Sequence, residues 1–542
     1  MVVPELRAWR AARPHVVRVA RTVRPHMVRV AQSVRPQVVR ITQSVQPRVL
    51  RVAQAVRPRS VKFTTSQFTA VATTAGLALA AGAVAVAGPW DSSGQRTAER
   101  DWAASGAPEG GADHGRSSDT SPTAPKPAPS AASVLTGLGG STGSVPPPTE
   151  QALASALDKL LDDPVLGARR TAVVVDVATG KRLYAKDADQ AQTPASTTKI
   201  ATAVAVLSTA GADHRIETRT VLEPGTKEIV LVGGGDPTLT AREEADGLAS
   251  LRTLADETAS SLKARHLDQV TLSYDTSLYP GSPSALHPIG VNPNLAPVSA
   301  LMVDEGRTDD STSGPVTRTA DPAGEAARKF ADLLHAEGIR TTVPGPSKAT
   351  NRSLALASVS SPPLSALVER MLTNSDNDIA EAMARQVALA TGERADFAGA
   401  GKAIGAQLKK LGLPLSGAHF EDGSGLNRAD RLTADLLTAL LAKAGDPAHP
   451  ELRTVLTGLP VAGFTGTLSD RYTAYSSGTG VVRAKTGTLT GVNTLAGTVV
   501  DTDGRLLAFA FLTSDETSPP DPAAAQSALD RTATALAACG CR

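Results

Sequence analysis

Aromatic side chains are scarce in this 542-residue chain: three Trp, five Tyr and eight Phe, 3% of the total. Its core must be packed from Val, Leu, Ile and Ala. Cysteine is scarcer, with only Cys539 and Cys541, which flank Gly540 near the C-terminal end. Two cysteines exclude a disulfide framework. With no histidine near them in sequence they also make a poor zinc site, so a local disulfide or two free thiols remain. Glycine-rich phosphate loops are missing as well. Gly233-Gly234-Gly235 follows the apolar run Ile229–Val232, but no Gly-Lys-Ser/Thr or dinucleotide fingerprint accompanies it, so the cluster reads as a structural turn. No metal or organic cofactor is expected.

Acidic residues are nearly absent from the first 67 positions. That stretch holds 14 Arg and Lys against one acid, Glu5, a balance of 14 − 1 = +13; the net charge of +2 leaves 2 − 13 = −11 for the remainder. Within residues 1–67, Pro14, Pro25, Pro36, Pro47 and Pro58 recur every 11 residues. That period corresponds to about 3.67 residues per helical turn. The Val and Ala positions after each proline cover one arc, with Arg18, Arg29, Arg40 and Arg51 outside it. Two readings stand: a basic amphipathic segment lying on an anionic membrane face, or a disordered basic arm that sets topology. The repeats lack the aromatic platform on which nucleic-acid bases stack, so no nucleic-acid partner is expected.

Residues 68–88 carry no charge. Their length suits one transmembrane helix, and the basic flank places the N-terminus in the cytoplasm and the body outside it. This predicts a single-pass anchor in the cell membrane. A signal peptide cleaved near Ala85-Val86-Ala87 is the alternative, giving a secreted body. Residues 89–148, rich in Gly, Ser, Pro, Ala and Thr, read as a disordered tether. The formal nucleophile-elbow match Gly139-Gly140-Ser141-Thr142-Gly143 falls inside it, without the strand and helix that motif needs.

The folded body starts near Thr149. Residues 149–211 read as the first part of a catalytic domain, 212–350 as an inserted domain and 351–542 as the second part. In the first part, Pro194-Ala195-Ser196-Thr197-Thr198-Lys199-Ile200 follows a strand hairpin and opens a helix with Ile200, Ala203, Val204 and Leu207 as its buried stripe. Ser196 and Lys199 are three apart and share a helix face. A serine hydroxyl attacks only when a neighbour takes its proton, and a lysine with a lowered pKa does so. Spacing alone proves nothing, because Ser260 and Lys263 repeat it.

Two further clusters lie downstream. Ser375-Asp376-Asn377 sits between two helical stretches: Ser375 can relay a proton to a leaving amine, and Asn377 can hold a substrate amide and position Lys199. Lys485-Thr486-Gly487-Thr488 offers a fixed positive charge and two hydroxyls for a carboxylate, with Gly487 leaving room for a substrate along the backbone. The backbone N–H groups of Ser196 and Thr488 can form an oxyanion hole.

The ordered set of serine–lysine, Ser-Asp-Asn and Lys-Thr-Gly resembles that of the low-molecular-mass penicillin-binding proteins. Gly234–Leu239, Ala296–Leu301 and Asp422-Gly423-Ser424-Gly425-Leu426-Asn427-Arg428 point to the D-Ala-D-Ala carboxypeptidase/endopeptidase branch of the penicillin-binding protein 4 type. The resemblance covers roughly 150–542. It implies an α+β, penicillin-binding protein/β-lactamase-like fold: an antiparallel sheet flanked by helices, a helical subdomain and an inserted α/β domain. It puts Ser424, Gly425 and Leu426 at the substrate cleft. One departure is that the short passage from Leu301–Arg307 to Pro322 implies loss or reduction of the family's nested domain.

The expected function is an exported serine D-Ala-D-Ala carboxypeptidase, with endopeptidase action as a companion activity. Its partners would be peptidoglycan stem peptides ending in D-Ala-D-Ala, β-lactam antibiotics, and the membrane through residues 68–88. A β-lactamase or esterase on the same fold, or a non-catalytic penicillin-binding sensor or wall scaffold, are the competing readings.

Overall fold

Hydrophobic alternation organises the body into two sheets. A computed structural model describes residues 147–281, 292–342, 344–472 and 476–541, all within the unit Ala128–Arg542. The basic repeats, the apolar stretch 68–88 and the tether as far as residue 146 lie outside the described residues. Among the described residues no helix is long and apolar enough to cross a membrane.

Helix α1 (Glu150–Leu161) is capped by the Thr149 hydroxyl and buries Leu153, Leu157 and Leu161. Strands β1 (Arg169–Asp176) and β2 (Arg182–Lys186) form the expected hairpin. Helix α2 (Thr198–Thr209) carries Lys199. It is buried from Thr198 to Leu207 on every side, so the single stripe expected from sequence is exceeded. A helix apolar all round belongs in the middle of a domain.

The chain then leaves for a second sheet. It runs through β3 (Glu217–Leu222), β4 (Glu228–Val232), α3 (Leu251–Lys263), β5 (Gln269–Asp275), α4 (Pro322–Ala336), β6 (Arg340–Thr341), β7 (Gly345–Pro346) and β8 (Leu354–Ser360). Its order is β6-β5-β4-β3-β8, with β7 beside β5. β4 and β5 are parallel, as a strand–helix–strand crossover requires, and α3 makes that crossover. β8 pairs with β3 over Leu354–Ser360, so the inserted sheet reaches past the boundary read at residue 350. Periodicity could not reveal this, because β8 is half exposed and its only claim to the insertion is a pairing partner far back in the chain. Between Leu301 and Pro322 the described chain makes only a short irregular excursion, bridged at Arg307↔Arg318.

The return leg brings α5 (Leu364–Asn374), α6 (Asn377–Thr391), α7 (Phe397–Lys410), α8 (Ala434–Gly445), the short α9 (Arg453–Thr457), strands β9 (Val482–Leu489), β10 (Val492–Val500) and β11 (Leu506–Ser514), and α10 (Pro522–Ala537). The first sheet has the order β2-β1-β11-β10-β9. Its inner position goes to β11, which pairs with β1 from Arg169↔Ser514 to Asp176↔Leu507. Alternation sorts its side chains to two cores. Val173, Val175, Ala508 and Ala510 pack with α2 and α5–α8, while Ala172, Val174, Phe509 and Phe511 pack with α1 and α10. Alanine at 508 and 510 lets the helices lie close to the sheet, which offsets the shortage of aromatic bulk. The Asp521 side chain caps α10, accepting from Ala523 N and Ala524 N, and Cys539 is paired with Cys541.

Candidate active site

Local sequence makes the turn before α2. Ala195–Thr197 form one 3₁₀ turn leading into the helix. The Thr197 hydroxyl donates back to Pro194 O at 2.7 Å and the Thr198 hydroxyl to Ala195 O at 3.0 Å. Ala195 is held at φ 49°, a conformation that costs a non-glycine residue roughly 1–2 kcal/mol. The result is a half-buried Ser196 on a stiff, buried support.

Lys199 is fully buried. Its Nζ donates to Ser196 Oγ at 3.0 Å, to Asn377 Oδ1 at 2.6 Å and to the Ser424 carbonyl at 2.7 Å. Burial pulls its pKa from 10.5 down to about 8, opposed by the carboxylates of Asp422, Glu381, Asp376 and Asp378. Burial disfavours its charge, and the three acceptors around it hold the amine beside the serine. Ser260 and Lys263, with the same spacing, are both exposed on α3, and Lys263 reaches only Glu337 at 3.5 Å.

The turn between α5 and α6 presents the next two residues. Ser375 ends α5 in the left-handed conformation, φ 58°, ψ 38°, and Asp376 caps α6 through Ile379 N. Asn377, first in α6, is committed at both ends: Oδ1 faces Lys199 and Nδ2 donates to Asn294 O at 2.8 Å. The expectation that its amide is free for a substrate is therefore corrected in part. It orients Lys199 and ties the inserted region to the site.

On β9, Lys485 is fully buried and its Nζ donates to Thr486 O at 2.8 Å. Burial, with Lys199 and Arg471 nearby, pushes its pKa well down. The fixed cation expected from sequence is thus a lysine whose charge is disfavoured until an anion arrives. Thr486 Oγ1 donates to Thr467 Oγ1 at 2.9 Å, and Thr488 Oγ1 accepts from Gln526 Nε2 at 3.2 Å. Gly487 does not leave room for a ligand. A Cβ there would meet Thr494 Oγ1 at 2.1 Å, Pro194 O at 2.8 Å and Ala195 Cβ at 3.1 Å. Its missing side chain seats the serine turn on β9. Gly487→Ala should therefore destabilise the fold by about 1–3 kcal/mol and slow β-lactam acylation; a denaturation midpoint and acylation rate both unchanged would refute this packing role.

The family motif at 422–428 is also redirected. Ser424 is fully buried and offers its carbonyl to Lys199, so its side chain is no substrate contact. Gly425, at φ +82°, lies where a Cβ would come within 1.9 Å of Ala195 O. Leu426 is half-buried and packs with Leu295, Val298 and Phe397. This loop supports the serine–lysine pair from behind. Nothing in Asp-Gly-Ser-Gly as a sequence distinguishes that task from an ordinary turn.

Several supporting residues escaped sequence reasoning. Asn294 is one. Ala296 N donates to Asp378 Oδ1 at 2.9 Å, and Arg318 meets Asp378 Oδ2 at 3.0 Å, both side chains buried. Glu381 accepts from Gly423 N and Ser424 N and pairs with Arg385 at 2.9 Å. Asp378, Glu381 and Arg385 were signalled only as charged residues on the otherwise apolar α6, and Asn294, Ala296 and Arg318, in irregular segments, carried no signal. Removing one partner of a buried ion pair strands the other, so Asp378→Ala should cost about 3–5 kcal/mol and loosen the 292–296 segment that holds Asn377. A urea denaturation midpoint matching that of the unaltered protein would count against it.

The sequence profile described as the D-Ala-D-Ala carboxypeptidase 3 (S13) family matches residues 153–315 and 308–536. Carboxypeptidase DacB of Mycolicibacterium smegmatis is 37% identical over 441 residues, covering 79% of this chain and 92% of that protein. The D-alanyl-D-alanine carboxypeptidase of Actinomadura sp. (strain R39) is 31% identical over 457 residues, covering 70% and 83%. Among solved structures, penicillin-binding protein 4 of Haemophilus influenzae superposes with a TM-score of 0.56 at 20% identity, covering 71% of this chain and 98% of that one. At that identity the likeness concerns the fold, and it agrees with the α+β architecture read from the motifs.

Proposed function

The chain belongs to the D-Ala-D-Ala carboxypeptidase (S13) family, and on that premise we propose how its own residues carry the reaction. The protein is a serine D-Ala-D-Ala carboxypeptidase that acts on peptidoglycan stem peptides and is acylated by β-lactams. The observation that carries the residue assignment is the buried Lys199 amine 3.0 Å from Ser196 Oγ, with Asn377 and Ser424 O taking its remaining donors.

Lys199 takes the Ser196 hydroxyl proton as Oγ attacks the carbonyl of the penultimate D-Ala. The N–H groups of Ser196 and Thr488 receive the developing oxyanion. When the C–N bond breaks, the departing amine of the terminal D-Ala takes the proton through Ser375. A water then attacks the ester, giving its proton to Lys199 and restoring Ser196. Lys485, Thr486 and Thr488 receive the terminal carboxylate, whose charge favours protonated Lys485. Among the described residues no strand pairs with the outer edge of β9 past Ala484, which leaves Lys485–Leu489 open to an added peptide strand. Endopeptidase cleavage of D-Ala cross-links would use the same acyl-enzyme with a larger leaving group. We further propose that residues 68–88 anchor the chain in the cell membrane, with the basic repeats cytoplasmic and the body outside.

Muropeptide mass spectrometry with the full chain tests this. Loss of one terminal D-Ala from a monomeric pentapeptide, together with a persistent penicillin adduct on Ser196, is expected. Rapid release of hydrolysed penicillin without D-Ala release would favour a β-lactamase and sink the proposal.

A further inference from the structure

The loop behind Lys199 hangs on one carboxylate. Asp422 Oδ1 accepts from Ser424 N at 3.1 Å and Gly425 N at 2.6 Å, and Oδ2 accepts from Asn427 N at 2.8 Å. These bonds set the Ser424 carbonyl on Lys199 and press Gly425 against Ala195 O. A second carboxyl group, Asp430, lies fully buried beside it. Its Oδ1 accepts from Glu421 N at 2.6 Å and from Asp422 N at 3.4 Å. Its Oδ2 is buried and receives no hydrogen bond from any donor among the described residues.

A buried carboxylate oxygen with no donor is costly. The cost disappears if that oxygen carries a proton and an acceptor faces it, and the Asp422 carboxylate is such an acceptor. We propose that Asp430 is a protonated carboxylic acid donating from Oδ2 to Asp422, and that this acid–carboxylate pair is a positioning device that fixes the 422–427 loop and, through Ser424 O, the Lys199 amine. Asp430 is a positioning residue: it touches neither substrate nor reacting atoms.

The surroundings agree. From α6, Glu381 accepts from Gly423 N and Ser424 N and is itself paired with Arg385. From α2, Lys199 is the cation facing the loop. Glu421 is turned to His419 at 2.8 Å, and Arg431 donates to the Asp430 backbone carbonyl, not its carboxyl. Among the described residues no cationic side chain donates a hydrogen bond to Asp430 Oδ2 to stabilise a charge there. Burial, with the Asp422 charge, pushes the Asp430 carboxyl up to about 10. Above that pH two adjoining carboxylates would repel and release the loop.

The test rests on the assignment of Lys199 only for its kinetic arm. Asn is the neutral isostere: its amide N–H donates to Asp422 and its carbonyl accepts from Glu421 N, so Asp430→Asn should keep β-lactam acylation within about threefold of the unaltered protein. It should also lack the decline above about pH 10. Asp430→Ala removes the donor and should slow acylation on the order of 100-fold, as misplacing a catalytic group by ~1 Å does. Infrared spectroscopy of the full chain at pH 9, where burial no longer keeps Asp236 (raised to about 6) or Asp378 (raised to about 7) protonated, provides an arm that does not depend on activity. A carboxylic-acid C=O band, shifted by ¹³C-labelled aspartate, should be present and should vanish in Asp430→Asn. A missing band in the unaltered protein, or an Asp430→Asn variant as slow as Asp430→Ala, overturns the proposal.

Discussion

Ser196→Ala should abolish both D-Ala release and covalent β-lactam uptake, a loss of roughly 10⁴-fold or more, because it removes the hydroxyl that the Lys199 amine meets. The fold should not notice. Ser196 Oγ is one of three acceptors for Lys199, and Asn377 Oδ1 and Ser424 O remain after its removal. The expected stability change is within about 0.5 kcal/mol. Intact-protein mass spectrometry with a penicillin, beside a thermal melt, separates the two. An adduct of full stoichiometry on the alanine variant would show that another residue is the nucleophile. Loss of the adduct with a collapsed melt would show that Ser196 is structural.

Lys199 should matter almost as much, and its pH dependence gives the sharper reading. Arginine cannot give up its proton in a protein, so Lys199→Arg keeps a cation beside Asn377 while removing the base. Acylation should fall by roughly 10²–10⁴-fold, the usual worth of a general base. As the proposed base, Lys199 acts in its neutral form. Its pKa is lowered to about 8, chiefly by burial. The acylation rate constant should therefore rise about tenfold per pH unit below that value and level off above it. An ordinary lysine would keep the rate climbing beyond pH 10. Stopped-flow acylation by a chromogenic β-lactam between pH 5 and pH 9 distinguishes these profiles. A rate independent of pH across that range would remove Lys199 from the role of base.

The amount legible beforehand differs from element to element for physical reasons. The β1–β2 hairpin, the β10–β11 hairpin and the Asp521-capped α10 are local: alternation, a turn and a cap all lie within a few residues. The Ser196–Lys199 pair is also local, being one helical turn. The Ser260–Lys263 pair shows the limit of such reasoning, since identical spacing on α3 produces two exposed side chains. β8 was cut off from its sheet because an edge strand is recognised by its partner β3, not by its own pattern. The sequence reads Gly487 as room for a substrate, and the family resemblance puts Gly425 at the substrate cleft. Each instead admits the turn that carries Ser196, and only the neighbour across the gap decides between the two.

By itself, then, the sequence determined the chemistry that depends on residue type and short spacing: a serine three places before a lysine, a polar turn between two helices, a Lys-Thr-Gly strand at a sheet edge. The tertiary structure decided what those groups are at the site. It made Lys199 a buried amine instead of a surface cation, turned the Asn377 amide toward it, and hid Ser424 behind it with only a carbonyl to offer. A residue's identity is written in the chain, but its pKa, its orientation and its free donors depend on burial and on partners up to 225 positions away, as from Lys199 to Ser424.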